Sequence, residues 1–331
     1  MSLSDDIAAL TGFDRPRWNS EAPLGTPIFV TYAFPTVAAP YDPFKNFSAA
    51  TELHKTIIRM ALQSWDAASG VHFIEVPESA GGQIRFSFVD MKGYVNATGD
   101  ILKGQAYFPI VTSVSVNGAT RNETGSMDLG GDTYLNADLY VADPVAMTPG
   151  MRGYSIVLHE IGHALGLKHP FEGSPVIETA HDSGAYTIMS YNRPHSTTAL
   201  GSVDIAATQL LYGATDAKFS WDPSALTLTI YGDVGSDARV GTELNDILVG
   251  LGGSDLLDGK GGVDTAVFSG SLGDYKFATA NGATVVADLR PGSPDGEDTL
   301  INIELLRFAD ATVPVSALAQ APAVAAAAAA V

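Results

Sequence analysis

Helix-like and strand-like spacings of apolar residues alternate over the first two thirds of the chain. Apolar residues recur every four positions from Leu53 to Trp65, which is the spacing of one helix face, and the predicted helix ends near Gly70. A second helix is predicted at residues 153–167. Strands are predicted where β-branched and aromatic residues cluster or alternate, at residues 28–34, 72–76, 84–88, 104–108 and 134–141. This order of elements predicts an α/β domain over residues 1–215.

The pattern changes near residue 215, beyond which glycine and aspartate recur with a period of nine residues. Four consecutive segments follow G-x-x-G-x-D-x-U-x, where U is apolar, although Arg239 replaces the apolar residue of the first and Leu244 a glycine of the second. Their aspartates are Asp237, Asp246, Asp255 and Asp264. Short strands joined by tight glycine turns are typical of this repeat, so we predict an all-β domain over residues 216–331.

Composition restricts the class of partner. The chain has 331 residues, with 18 Lys+Arg against 37 Asp+Glu and a formal net charge of −19. This charge repels phosphate backbones and anionic lipid, so we expect no nucleic-acid partner. The absence of cysteine excludes thiolate zinc ligands and a cysteine nucleophile. No apolar run reaches the roughly 20 residues of a membrane-spanning helix, so we expect no membrane span.

A segment that begins at His159 reads HEIGHALGLKH, that is H-E-x-x-H-x-x-G-x-x-H. His159 and His163 are four residues apart on the predicted helix, so both imidazoles project from one face and can bind one Zn²⁺ ion. Gly166 can adopt a positive φ and end the helix, which allows His169 to supply a third nitrogen. Three nitrogens leave one position for water, as in catalytic zinc sites, and Glu160 lies where it can act on that water.

The remaining histidines show no spacing typical of metal ligands. They are His54, His72, His181 and His195. We therefore predict structural or surface positions for all of them.

The zinc motif and the segment IMSY at residues 188–191 together resemble the serralysins, a branch of the metzincin zinc metalloproteases. The resemblance implies a metzincin catalytic domain at residues 1–215, with Met189 in a turn beneath the zinc site. It also implies that Tyr191 is a further zinc ligand that swings away to stabilise the oxyanion. Residues 204–213 are similar to the helix that closes this domain in serralysins.

The nine-residue repeat is typical of a calcium-dependent parallel β-roll, also called an RTX repeat. Two repeats make one coil, so we expect Asp237 to stack on Asp255 and Asp246 on Asp264, and we expect two or more Ca²⁺ ions. Carboxylate and carbonyl oxygens are the ligands that Ca²⁺ prefers. The predicted calcium-site residues are these four aspartates together with Gly241, Gly250, Gly252, Gly259 and Gly261. Residues 268–315 are similar to the β-rich segment that follows the roll in serralysins.

These features predict a secreted zinc-dependent endopeptidase with one catalytic Zn²⁺ ion, Glu160 as general base and Tyr191 at the oxyanion. We expect protein substrates in extended form along an exposed strand edge, for which residues 104–108 are the candidate. A proteinaceous inhibitor is a candidate partner, and we expect a monomer. Because the repeats resemble those of type I exported proteins and no N-terminal signal is visible, we expect type I secretion. The alanine-rich tail at residues 323–331 lacks the acidic–hydrophobic ending expected there.

Two alternatives stay open at this point. A non-enzymatic, calcium-stabilised extracellular or surface protein with a vestigial zinc motif would explain the repeats and the acidity. It would not explain three correctly spaced ligands together with Glu160. A metal hydrolase that acts on something other than peptides is the second alternative.

Overall fold

The computed structural model describes residues 2–12, 16–95, 99–109, 111–116, 119–124, 129–192, 197–214 and 217–318. The chain divides into two compact units, residues 1–216 and residues 217–331. His195 and the alanine-rich tail lie outside the described residues. Across the described part of the chain, every helix is too short or too polar to span a bilayer.

The first unit mixes helices with a central sheet, which confirms the predicted α/β class. Its elements are α1 (Leu3–Thr11), β1 (Ile28–Ala33), β2 (Lys45–Ser48), α2 (Glu52–Asp66), β3 (Val71–Glu75), β4 (Ile84–Asp90), β5 (Gly104–Ala106), β6 (Val111–Val116), β7 (Ala119–Thr124), β8 (Thr133–Asn136), α3 (Ala137–Tyr140), α4 (Arg152–Ala164) and α5 (Ser202–Tyr212). Strands β6 and β7 form a separate hairpin.

The central sheet has the strand order β3-β1-β4-β8-β5, with β2 paired to β4. Strands β1, β3, β4 and β8 are parallel to one another, and β5 runs antiparallel to β8. All six residues of β1 are buried, as expected for a parallel strand covered on both faces. Strand β5 therefore forms one edge of the sheet, and it contains the first three residues of the segment predicted as an exposed strand edge.

Helix α2 packs against α4 through its predicted apolar face. Trp65 is fully buried, and its indole N–H donates to the carbonyl oxygen of Leu158 over 3.1 Å. The prediction was wrong at both ends of this face, because Leu53 is 41% exposed and the helix ends at Asp66. Gly70 lies instead against the end of α5, where a Cβ atom would overlap the carbonyl oxygen of Tyr212. A close approach of two backbones thus explains this glycine.

The strand predicted at residues 134–141 is also wrong over its second half. Strand β8 ends at Asn136, and residues 137–140 form the short helix α3. The side-chain oxygen of Asn136 accepts a hydrogen bond from the Asp138 N–H over 3.0 Å and so caps this helix. The capping bond ends the strand although Leu139 and Tyr140 continue the apolar pattern.

The second unit consists mainly of short strands. Its elements are β9 (Lys218–Asp222), β10 (Thr227–Tyr231), β11 (Ala238–Val240), β12 (Ile247–Val249), β13 (Leu256–Asp258), β14 (Thr265–Val267), β15 (Tyr275–Ala280), β16 (Ala283–Asp288), β17 (Glu297–Ile301), β18 (Leu305–Arg307), β19 (Thr312–Pro314) and α6 (Val315–Leu318). They form one sheet with the order β19-β18-β14-β12-β10-β9 and another with the order β11-β13-β17-β16-β15.

Successive repeats contribute strands to opposite sheets. In β12, β13 and β14 the middle residue points into a core shared by the two sheets; these residues are Leu248, Leu257 and Ala266, and all are fully buried. Leu300 and Leu306 belong to the same core although they lie outside the four repeats. The core therefore continues beyond the residues that follow the nine-residue period.

Asp132 is a buried carboxyl group beside the central sheet of the first unit. It accepts hydrogen bonds from the Arg85 backbone N–H over 3.2 Å and from the Tyr134 hydroxyl over 3.3 Å. Burial raises the pKa of Asp132 to about 7, and the nearby Arg85 guanidinium opposes this increase. Since the folded-state pKa exceeds the ordinary value of 3.8, the carboxyl group stabilises the fold most below about pH 4.

We expect the Asp132→Asn variant to remove a pH dependence of stability. Between pH 4 and pH 8 the wild type should lose free energy of unfolding relative to the variant, by at most about 4 kcal/mol, because one pKa unit corresponds to about 1.4 kcal/mol. Urea unfolding of both proteins across this range measures the difference. Parallel pH profiles of stability for the two proteins would contradict the raised pKa of Asp132 in the folded state.

Candidate metal centre

Three histidines converge at the end of α4. His159 and His163 lie on one face of this helix, and Gly166 has a φ of +97°, which ends the helix as predicted. A Cβ atom at Gly166 would overlap the carbonyl oxygen of Pro16, so this position requires glycine. The chain then reverses and brings His169 Nε2 to 3.2 Å from His159 Nε2 and 3.1 Å from His163 Nε2.

The outer nitrogen of each imidazole lies against an oxygen atom. The Nδ1 atoms contact Ile188 O for His159 over 2.9 Å, Leu167 O for His163 over 2.7 Å and Glu172 Oε2 for His169 over 2.9 Å. A neutral imidazole that donates from Nδ1 carries its lone pair on Nε2. Three lone-pair nitrogens that face one another at this distance fit an ion between them, with the outer contacts fixing ring orientation. The three histidines form a candidate zinc site.

Three aromatic rings lie against this cluster of histidines. The ring of Phe108 meets the His163 ring edge-on at 5.6 Å, and the ring of Phe171 stacks on His169 at 5.2 Å with an interplanar angle of 6°. The Tyr191 ring lies 4.7 Å from the His169 ring and is 43% exposed. The structure thus places Tyr191 beside the histidines, at the boundary with solvent.

The side chain of Glu160, on α4, is buried against the edge strand β5. The residue is only 5% exposed. A Cβ atom at Gly104 would lie 2.8 Å from both Cγ and Oε1 of Glu160, and 2.9 Å from a methyl carbon of Ile156. The absence of a side chain at Gly104 therefore allows the edge strand to approach the carboxyl group that follows the first histidine.

Met189 packs beneath the helix that carries the two histidines. It is fully buried, and a Cβ atom at Gly162 would lie 2.5 Å from its sulfur atom. Gly162 precedes His163, so the methionine contacts the helix within one turn of both α4 histidines. A methionine sulfur at this distance leaves no space for a larger residue at position 162.

The carboxylate of Asp204 holds the turn that contains Met189. It is fully buried and accepts hydrogen bonds from Thr187 Oγ1 over 2.6 Å, Ile188 N over 2.7 Å and Gly201 N over 2.7 Å. The carbonyl of Ile188 in turn contacts His159 Nδ1. Asp204 has no role predicted from the sequence, although an aspartate in the first turn of a helix that follows Gly201 is a typical N-terminal signal.

Three further histidines of the described residues have structural contacts. His54 is fully buried, stacks on Phe88 with ring centroids 4.3 Å apart and contacts Tyr140 O over 3.0 Å. His72 is also buried, and His181 contacts the buried Asp6 carboxylate over 2.7 Å. These positions agree with the structural roles predicted for them.

In the second unit the predicted aspartate pairs lie next to each other. The backbone N–H of Asp237 donates to Asp255 Oδ1 over 2.8 Å, and that of Asp246 donates to Asp264 Oδ1 over 2.7 Å. Asp246, Asp255 and Asp264 are buried. Burial raises the pKa of Asp264 to about 8 and that of Asp246 and Asp255 to about 6.

Glycines in the turns leave room for these carboxylates, because a Cβ atom at several of these positions would overlap neighbouring oxygen atoms. A Cβ atom at any of the first glycines of the last three repeats would meet the carboxylate of its own turn; these are Gly241, Gly250 and Gly259. At Gly252 a Cβ atom would lie 2.8 Å from Pro294 O, and at Gly261 it would overlap the Glu243 carboxylate. Arg239 lies in the first repeat, and its Nη2 pairs with Asp237 Oδ1 over 2.8 Å.

The fold and the histidine site define a metzincin-type metallopeptidase domain. Residues 41–213 match the family described as Matrixin, and the chain belongs to this peptidase family. The resemblance to serralysins is confirmed by similarity to known proteins. The chain is 30% identical over 254 residues to Serralysin from Proteus mirabilis, which covers 70% of this chain and 49% of the relative.

Two further relatives give the same result. Metalloprotease AprA from Pseudomonas entomophila (strain L48) is 30% identical over 246 residues, which cover 66% of this chain and 44% of that protein. Serralysin G from Dickeya chrysanthemi is 27% identical over 240 residues, which cover 67% of this chain and 46% of that protein. The chain spans about half the length of the curated relatives it matches.

We expect the Asp204→Asn variant to bind zinc about 10- to 100-fold more weakly, because an amide replaces an oxygen that accepts backbone N–H bonds and the turn behind His159 loosens. The free energy of unfolding should fall by about 1–3 kcal/mol. Competition with a chromophoric chelator measures zinc affinity. The Asp138→Asn variant, at a surface ion pair with Lys92, is the control. Equal zinc affinity in both variants would exclude a positioning role for Asp204.

Proposed function

We propose that the protein is a zinc-dependent endopeptidase that hydrolyses peptide bonds of proteins. The observation that carries the proposal is the convergence of three imidazole nitrogens next to a buried carboxyl group and an edge strand. A bound Zn²⁺ ion would polarise the scissile carbonyl and lower the pKa of a water molecule. Similarity to the serralysins supports the same activity.

In this proposal Glu160 acts as general base and then as general acid. Its carboxylate takes a proton from the attacking water and delivers it to the amine that leaves. Burial of Glu160 against Gly104 limits the water around the carboxylate, so the proton moves between few partners. The hydroxyl group of Tyr191 donates to the oxyanion, and the proximity of its ring to His169 supports this role.

The substrate is proposed to lie along β5 as an extended strand. Among the described strands, β5 pairs with β8 alone, so its other side can receive backbone hydrogen bonds from a peptide. Gly104 brings this edge against Glu160, which aligns a peptide bond with the general base. Because the bonds are made by the backbone, unfolded chains of many sequences are suitable substrates.

We also propose that the second unit is a calcium-binding RTX roll. The buried carboxylates of Asp246, Asp255 and Asp264 support this, because burial of like charges is costly unless a cation neutralises them. Asp237 belongs to the same stack, although Arg239 already pairs with one of its oxygens. A chelator should therefore lower the stability of this unit.

We further propose that the protein acts outside the cell after type I export, as a monomer that a proteinaceous inhibitor can block. Extracellular calcium modules bind with dissociation constants of about 10⁻⁴–10⁻³ M, which suits the high calcium concentration outside cells. A non-enzymatic surface protein would need neither the fixed imidazoles nor the buried Glu160. A panel of peptide and ester substrates would distinguish an endopeptidase from a hydrolase that acts on other substrates.

We expect the Glu160→Ala variant to keep zinc and to lose casein hydrolysis by about 10²–10⁴-fold, the usual contribution of a positioned acid–base group. Zinc content by atomic absorption and casein cleavage with and without a chelator are the measurements. Glu52→Gln, which changes a carboxylate that is 81% exposed on α2, is the control. If the Glu160→Ala variant cleaved casein at nearly the wild-type rate, Glu160 would be excluded as the general base.

We expect the Gly104→Ala variant to reduce kcat/KM by about 10- to 100-fold without loss of zinc, because the added methyl group displaces Glu160 and the edge strand. Hydrolysis of a fluorogenic peptide and zinc content test this together. The control is Gly273→Ala, where a Cβ atom meets nothing within 4 Å. Unchanged kcat/KM at position 104 would argue against substrate binding along β5.

A further inference from the structure

The stack of coils continues beyond the four repeats. Strand β17 pairs in parallel with β13, so that Thr299 is the register partner of Leu256, and β18 pairs in parallel with β14, so that Leu305 is the partner of Thr265. The residue before each of these register partners, Thr299 and Leu305, therefore takes the place of a repeat aspartate in the next coil. That residue is Asp298 on one edge of the roll and Glu304 on the other.

On the Asp298 edge the next coil has a turn of full length. Residues 293–298 take the place of residues 250–255, and Gly296 has a φ of +74° where Gly253 has +116°. A Cβ atom at Gly296 would overlap the carbonyl oxygen of Gly253, which shows that one turn lies directly on the other. The hairpin of β15 and β16 separates the two turns in the sequence and conceals the repeat.

On the Glu304 edge the turn is shorter. Strand β17 ends at Ile301 and β18 begins at Leu305, so three residues connect them, whereas six residues connect β13 and β14. A turn of three residues offers fewer carbonyl oxygens to a cation. The Asp298 edge is therefore the better candidate for a further metal site.

The Asp298 edge contains a buried carboxylate oxygen without a hydrogen-bond partner. Asp255 is 2% exposed; its Oδ1 accepts from the Asp237 N–H, and its Oδ2 has no partner. This Oδ2 points into its own turn, since a Cβ atom at Gly250 would overlap it. Asp298 is also 2% exposed and accepts from the Asp255 N–H over 2.9 Å. A backbone hydrogen bond thus joins two buried aspartates of successive turns.

A bound cation would offset the negative charges of Asp255 and Asp298. Asp255 and Asp298 are each 2% exposed, and the burial of two negative charges in successive turns is costly unless a cation neutralises them. In the first repeat the guanidinium of Arg239 already supplies a positive charge, because it pairs with Asp237. Asp295 has its own partner in Arg290, with Nη2 and Oδ2 3.1 Å apart.

We propose that a Ca²⁺ ion binds between the turns at residues 250–255 and 293–298, held by the carboxylates of Asp255 and Asp298 and by backbone carbonyl oxygens. Oxygen atoms of this kind at about 2.3–2.6 Å are the ligands that Ca²⁺ requires. The proposal rests on the calcium roll proposed above and extends it to a coil outside the four repeats. The turn at residues 293–298 is then a metal site and not only a structural continuation of the sheet.

The test uses the full chain with the variants Asp298→Asn, Asp264→Asn and Asp222→Asn. Asparagine at 298 keeps an oxygen that can accept from the Asp255 N–H but removes the charge. Asp264→Asn changes a repeat aspartate, and Asp222→Asn removes an exposed carboxylate that caps the turn between β9 and β10. Bound calcium per chain is measured by atomic emission after gel filtration, and melting temperatures are measured with calcium and with EDTA.

We expect Asp298→Asn to bind one Ca²⁺ ion fewer than the wild type. Its melting temperature in EDTA should equal or exceed the wild-type value, because an uncompensated buried carboxylate is gone, and the increase on adding calcium should be smaller. A merely structural Asp298 would instead lower the melting temperature equally in both conditions. Asp222→Asn should match the wild type in calcium content.

The outcomes separate the two proposals. If Asp298→Asn keeps all calcium while Asp264→Asn loses it, the site between these turns is overturned and the roll stands. If neither variant loses calcium, the calcium roll itself is overturned. Hydrogen exchange of the wild type gives a measurement that needs no variant: calcium should slow exchange in residues 293–298 as well as in 250–255, and unchanged exchange in 293–298 would overturn the proposal.

Discussion

The hydrogen bonds on the outer side of the three imidazoles are the constraint on which the candidate centre depends. Each Nδ1 contacts an oxygen atom, which is a backbone carbonyl for His159 and His163, and this contact decides which ring nitrogen faces the other two histidines. One of the three oxygens belongs to Ile188, whose N–H is held by Asp204. The turn around Met189 and the first turn of α5 therefore contribute to the orientation of His159, although neither is adjacent to it in sequence.

The sequence was sufficient for those parts of the site that follow from local geometry. Spacing by four on a helix places His159 and His163 together, and the need for a positive φ at Gly166 explains the return of His169. Asp204 could not be predicted in the same way, because its partners lie in an irregular turn up to 17 residues away. The approach of Gly104 to Glu160 likewise depends on how β5 packs on α4.

The elements of the fold that could be predicted are likewise those determined by local sequence patterns. Strongly periodic elements such as β4 and α4 were predicted within a few residues, because burial of one face determines them. The short helix α3 was missed since one capping bond from Asn136 outweighs an apolar pattern. The coil that contains Asp298 was missed because the inserted hairpin interrupts the period, even though the backbone register resumes afterwards.

The inserted hairpin also changes the order in which the second unit can assemble. Asp237 and Asp255 are 18 residues apart, whereas Asp255 and Asp298 are 43 residues apart. Bringing the longer segment together costs about 0.8 kcal/mol more in chain entropy if the segment is flexible, and less once β15 and β16 have paired. Evolution can therefore lengthen a stacked roll with a self-contained hairpin at little thermodynamic cost, provided that the backbone returns in register.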